Sequence, residues 1–203
     1  VTTLTNIGAA PKRSQAAASD AATRRRNRAT LARRLLAAAP DAASSLDWDA
    51  LDAAPAWLAM SEPELMVLAR QVGAVLCAAS IRQWIDGARL GAARAALGAP
   101  FLQALLAMPD AQVLPRNVAP CPRIDTAEQV APMLRTSGLG VLLASLPSGP
   151  LRRAATALLG SAASTMAPAL AHTLVSRAQT MTVRTPAMRT QGPANKAPEG
   201  VNA

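Results

Sequence analysis

An all-α fold follows from three features of the sequence. Alanine, the strongest helix former and a poor strand former, supplies much of the apolar half of the chain. Ser61-Glu62-Pro63-Glu64 and Thr126-Ala127-Glu128-Gln129 each read as a capping box that opens a helix. Apolar residues recur at alternating spacings of three and four, and no period-two run suggests a strand. The expected architecture is one compact, irregular helical domain of about six to eight helices over residues 41–181. It lies between a basic arm, residues 1–40, and a tail, residues 182–203, both expected to be disordered apart from one helix in the arm. Phe101 is the only phenylalanine and tyrosine is absent, so the core must be built from Leu, Val, Ile, Met and three tryptophans. Helices are then expected to approach closely over alanine.

Along the chain, residues 1–19 show no apolar period and are read as disordered. A helix is expected over 20–39, with Asp20 as N-cap, Leu31 and Leu35 on one face and Pro40 as its stop. A helical turn or two follows through the acidic block, with Leu46, Trp48 and Leu51 as apolar contacts. From the Ser61 box, Leu65, Leu68, Val72, Val75 and Ala79 form one core-facing stripe. Ile81, Trp84 and Ile85 are read as continuing that helical face to Gly87. Leu90 and Leu97 carry the next helix to a Gly98 stop. Phe101, Leu102, Leu105 and Leu106 make a short helix ending before Pro109. Four prolines between Pro109 and Asp125 imply a surface loop. The Thr126 box starts a helix through Val130, Met133 and Leu134 to about Gly138, and Leu139 to Leu146 is a separate short one. Beyond Pro147-Ser148-Gly149-Pro150, a helix is expected from Leu151 to about Met181, bent or broken at Pro168.

Charge divides the chain unevenly. The formal net charge of +9 is almost wholly arginine, since Lys12 and Lys196 are the only lysines. Between Lys12 and Arg34 eight cations face Asp20 alone, whereas Asp41, Asp47, Asp49 and Asp52 make an acidic block. Arg24, Arg25, Arg26, Arg28, Arg33 and Arg34 form the strongest electrostatic feature, suited to anionic lipid or an acidic protein face. Nucleic acid is the less favoured partner, because the arm lacks stacking aromatics and a recognition helix, but a nucleic-acid or anionic-surface binder working through this arm is the alternative function, beside an arm that merely solubilises. No apolar run is long enough for a membrane span, and the N-terminus lacks the apolar region of a secretory signal. Its Arg, Ala and Ser content also resembles a transit peptide, but the same bias pervades the chain. A cytoplasmic setting with reduced thiols is expected, with Cys77 as a small buried hydrophobe rather than half of a stapled framework.

Catalytic and metal chemistry find little to work with. His172 is the only histidine and has no sequence neighbour to act as a nucleophile or orienting group. One histidine and two distant cysteines give no zinc spacing. Asp47, Asp49 and Asp52 lack the turn glycine and closing glutamate of a calcium loop. No glycine-rich phosphate loop precedes a Lys-Ser or Lys-Thr. No enzyme activity, cofactor, metal or small-molecule substrate is therefore expected.

The remaining candidates are contacts with proteins. Trp57 and Trp84 are expected to be scaffold, and Arg82, Asp86 and Arg89, at spacings of four and three, are expected on one helical side as a surface charge network or docking patch. Pro55-Ala56-Trp57-Leu58, a leucine-rich helix, Leu76-Cys77-Ala78-Ala79-Ser80-Ile81-Arg82, Ile85-Asp86-Gly87, Leu90 and Leu97-Gly98 occur in an order that resembles the SctK/YscK family of type III secretion sorting-platform proteins. The Arg-rich and Ala-rich character is similar to the plant-pathogen or Burkholderia-like branch. The resemblance spans about residues 52–110 and extends more thinly to residue 178. It implies a non-enzymatic cytoplasmic linker, peripheral to the inner membrane through its complex. Such a linker joins the cytosolic domain of the inner-membrane ring to the pod protein that carries the ATPase and cargo-sorting machinery. The basic arm and the scarcity of aromatics depart from the family pattern.

Overall fold

The computed structural model describes residues 12–43, 45–46, 48–115, 121–161 and 163–183. Among them there are ten α-helical segments and no strand: α1 (Lys12–Ala38), α2 (Pro40–Ala43), α3 (Trp48–Asp52), α4 (Glu62–Leu76), α5 (Ala78–Ile81), α6 (Gly87–Leu97), α7 (Ala99–Leu106), α8 (Ala127–Ser145), α9 (Pro150–Leu159) and α10 (Pro168–Val183). Three of these, α2, α3 and α5, are single turns, so the all-α expectation holds with seven longer helices. Residues 1–11, Asp47 and the expected tail beyond Val183 lie outside the described residues.

Both capping boxes are present. The Ser61 amide donates to Glu64 Oε2 at 3.0 Å, and the Ser61 hydroxyl donates to the same oxygen at 2.6 Å. These bonds, the hydroxyl first, hold the Glu64 carboxyl below its ordinary pKa of 4.5. At the second box Gln129 Oε1 accepts from the amides of Asp125 and Thr126 at 3.0 and 3.4 Å.

The core centres on α4 crossing α8, with α6 and α10 packed on the pair. Leu65, Leu68, Val72 and Val75 of the α4 stripe are buried against Val130, Leu134, Val141 and Leu142 of α8 within one cluster, while Ala79 is only half-buried. Glycine permits the crossing. A Cβ on Gly73 would stand 2.0 Å from the Leu134 carbonyl oxygen, and one on Gly138 would stand 1.7 Å from that of Ala69. Each helix therefore receives a backbone carbonyl of the other where a side chain would otherwise project.

Several boundaries differ from the sequence reading. Helix α1 begins at Lys12, eight residues before the expected cap, and Asp20 is interior to it. Its Leu31 and Leu35 are buried as expected, and the helix packs on α2 and α9. Helix α8 runs unbroken through Gly138 to Ser145, because that glycine serves the contact with α4 and not a helix stop. Gly160, at φ +58°, caps α9 in the left-handed region, and α10 starts only at Pro168. The expected single helix from Leu151 is thus two helices joined by residues 160–167, with the Ser164 amide bonded to the Gly140 carbonyl at 2.9 Å.

The two cysteines correct the expectation of free thiols. Cys77, at the end of α4, forms a disulfide with Cys121, 44 residues away in the proline-rich loop. This bond ties the loop to the corner between α4 and α5.

Candidate protein-interaction surface

The segment that follows this corner carries most of the candidate residues, and the structure breaks the helix there. Helix α5 ends at buried Ile81, and residues 82–86 turn away before Asp86 caps α6. The cap is chemical: Asp86 Oδ1 accepts from the Ala88 amide at 2.8 Å. That bond holds the Asp86 carboxyl below its ordinary range against desolvation, the next largest effect, with Arg89 adding to the lowering. Gly87 therefore begins a helix where the sequence reading had it end one.

The expected side-by-side array of Arg82, Asp86 and Arg89 is consequently split. Arg82 Nη1 pairs with Asp110 Oδ1 at 2.7 Å, which ties the turn to the start of the proline-rich loop. Asp86 and Arg89 do meet, with Nε to Oδ2 at 3.1 Å. Arg89 also donates from Nη1 to the Ile124 carbonyl at 3.1 Å and lies over the Trp84 ring, 5.5 Å from its centroid. One arginine thus fixes the cap, the aromatic ring and residues 121–125 together. Trp84 is half-buried against the core, whereas Trp57 is 2% exposed and sits wholly within it. Trp57 is scaffold, and it cannot touch a partner without unfolding.

The break has a second consequence. Ile85 does not continue the buried stripe; it is 97% exposed, and its chain neighbour Trp84 lines an open trough of about 620 Å³. Ser80, Gln83, Trp84 and Arg89 line one side of this trough, and Cys121 to Asp125 line the other, with Arg123 Nε paired to Asp125 Oδ1 at 2.7 Å. The sequence reading missed Ile85, Cys121 and Arg123. For Ile85 a signal was available: Asp86 directly before Gly87-Ala88-Arg89 is an N-cap pattern that competes with the apolar spacing.

The basic residues of α1 fall into two groups. Arg28 places Nη1 2.8 Å from both carboxylate oxygens of Asp52 and stacks over Trp48, 5.2 Å from the ring centroid. Trp48 is itself 64% exposed, so it contributes less to the core than expected. Arg34 donates to the Met60 carbonyl at 2.7 Å. These two arginines hold α1 on the body. Arg25, Arg26 and Arg33 instead face solvent, and Arg26 and Arg33, two turns apart, share the outer face of the helix. The Arg24 side chain lies outside the described residues.

Among the described residues no group of His, Cys, Asp and Glu could hold a metal ion, and Asp49 and Asp52 do not converge with a third ligand. His172 is exposed on α10. No helix among them is long and apolar enough to cross a membrane. No protein-family model, no curated protein and no solved structure matches the chain.

Proposed function

We propose that this chain is a non-enzymatic adaptor of a type III secretion sorting platform. It joins the cytosolic domain of the inner-membrane ring to the pod protein that carries the ATPase and cargo-sorting machinery. The observation that carries the reading is Ile85. A β-branched aliphatic side chain held 97% exposed on a turn braced by Arg82–Asp110 and Arg89–Asp86 contributes nothing to the core, and it stands in the segment that resembles the family. An apolar residue on a rigid turn is a usual anchor for a partner pocket, because little conformational entropy is left to lose on binding. On this reading the chain works in the cytoplasm, peripheral to the membrane through its complex.

The test is co-purification from cells that carry the whole secretion apparatus. The parent chain is expected to retain ring and pod proteins, and Ile85→Asp is expected to lose at least one of them while keeping its melting temperature. If the parent captures neither, the adaptor reading falls. If Ile85→Asp captures both, the docking surface lies elsewhere.

A second reading is favoured by the outer face of α1, where Arg25, Arg26 and Arg33 have no partner among the described residues. Such a face would hold the protein against anionic lipid or an acidic protein surface. Sedimentation with phosphatidylglycerol vesicles should then fall steeply between low and moderate salt, and Arg26→Ala with Arg33→Ala should abolish it. Binding that ignores salt would refute this reading, and equal binding to double-stranded nucleic acid would point to a general polyanion site.

A further inference from the structure

A second apolar feature lies away from the Ile85 turn, between α4 and α10. It is an open groove of about 510 Å³ lined by Met60, Glu64, Val67, Leu68 and Gln71 on one side and by Gln179 and Thr182 of α10 on the other. Val67 stands 40% exposed in its floor. The Thr182 hydroxyl donates to Gln71 Oε1 at 2.9 Å, which sets the last turn of α10 against the middle of α4. From that contact the α4 side of the groove takes in Leu68, Val67 and Glu64 toward the N-terminus of α4, and Met60 just before it. The last described turn of α10 thus stands beside an apolar groove.

We propose that the groove is a peptide-docking site, and that its occupant is the segment that follows directly in this chain, Arg184-Thr185-Pro186-Ala187-Met188-Arg189. Three properties of that segment fit. Pro186 cannot continue α10 and biases Thr185 to an extended form, which suits a groove rather than a further helical turn. Five extended residues from Val183 to Met188 reach up to about 17 Å. The groove needs less, since Glu64 to Gln71 spans roughly 10 Å of helix. Met188 therefore reaches the Val67 floor, where an unbranched thioether adapts to an irregular apolar surface. Charge agrees as well. Glu62 and Glu64 stand exposed at the far end with no cationic partner among the described residues, and Arg184, Arg189 and Lys196 outnumber Glu199 in the segment beyond Val183. The acidic first turn of α4 is the counterpart of these cations. The contact is independent of the adaptor reading and survives its failure.

The experiment uses the full chain, labelled at methionine and valine methyls. Nuclear Overhauser contacts between the Met188 methyl and the Val67 methyls are expected, and they are expected to vanish in Met188→Asp. Hydrogen exchange gives a second readout. Ending the chain after Val183 should speed exchange of the amides of residues 65–68 by about tenfold, and a synthetic peptide of residues 184–203 added in trans should slow it again. Absence of the methyl contacts in the parent chain, with exchange unchanged on truncation, overturns the proposal. Protection of the groove that rises with protein concentration also overturns it, because the occupant is then a second copy.

Discussion

Gly138→Ala should do far more harm than its size suggests, and Gly91→Ala should do the reverse. In helix propensity alone each change gains about 1 kcal/mol. At Gly91, exposed within α6, an added Cβ meets nothing within 4 Å, so most of that gain should appear as stability. At Gly138 the same atom would lie 1.7 Å from the Ala69 carbonyl oxygen and 2.6 Å from its carbon. Ordinary carbon–oxygen contact needs about 3.3 Å, so α4 and α8 must separate by roughly 1.5 Å, and the obstruction is backbone that no rotamer change can clear. A gap of that order forfeits a quarter to a half or more of the dispersion between facing side chains. The crossing holds fully buried Val72, Leu134 and Val141. We expect a net loss of about 3 kcal/mol, at the upper end for overpacked cores. For a domain of this size that lowers Tm by roughly 6–12 °C, while Gly91→Ala raises it by about 2 °C. Thermal unfolding followed by circular dichroism at 222 nm measures both. A Gly138→Ala protein that melts within about 2 °C of the parent would refute the close crossing of α4 and α8.

Two further perturbations test other parts of the fold. Breaking the Cys77–Cys121 bond by reduction, or by Cys121→Ser, frees a 44-residue loop in the unfolded chain and should lower stability by about 4 kcal/mol, read as the urea midpoint with and without reductant; coincident curves would show that the bond is not formed. Glu64 has a folded pKa held down by its bonds to Ser61, so its contribution is present above the ordinary value of 4.5 and lost as pH falls through the lower, folded value. Urea midpoints taken down from pH 6 should fall less steeply below that value in Glu64→Gln than in the parent, and parallel acid limbs would exclude the capping box as the cause.

The parts of this fold that were legible in the sequence are those whose cause is local. A capping box declares itself within four residues, so both boxes fell where expected. The α4 stripe was readable because one helix face meets one core. The features missed have causes distant in sequence. Gly138 looked like a helix stop because the carbonyl that needs its space belongs to Ala69, on another helix. The pairing of Cys77 with Cys121 depends on how the proline-rich loop returns across the α4–α5 corner, which spacing does not encode. Ile85 is a different case. Two local signals, the apolar spacing from Ile81 and the N-cap pattern at Asp86, pointed to opposite answers there, and the structure follows the cap. Of the interaction candidates, Trp57 is buried and presents no surface to a partner, and Arg82 pairs with Asp110 instead of joining Asp86 and Arg89 in one network.

The disulfide bears directly on the proposed role, since free thiols and a cytoplasmic setting were expected together. What matters is whether the surface around Ile85 depends on the sulfur bond. Residues 121–125, which form one wall of the trough, have two other anchors: the Ile124 side chain is buried, and its carbonyl accepts from Arg89, which is itself fixed by Asp86 and Trp84. Asp110, at the other end of the proline-rich loop, is held by Arg82. Reduction therefore removes a constraint on the unfolded chain, while these contacts keep the wall in place in the folded one. A loss of about 4 kcal/mol is smaller than the usual stability of a domain, about 5–15 kcal/mol, so the reduced protein is expected to stay folded, which its urea midpoint in reductant checks. The proposed docking surface is then expected to persist under reducing conditions, and the oxidised form to present the same surface on a more stable body.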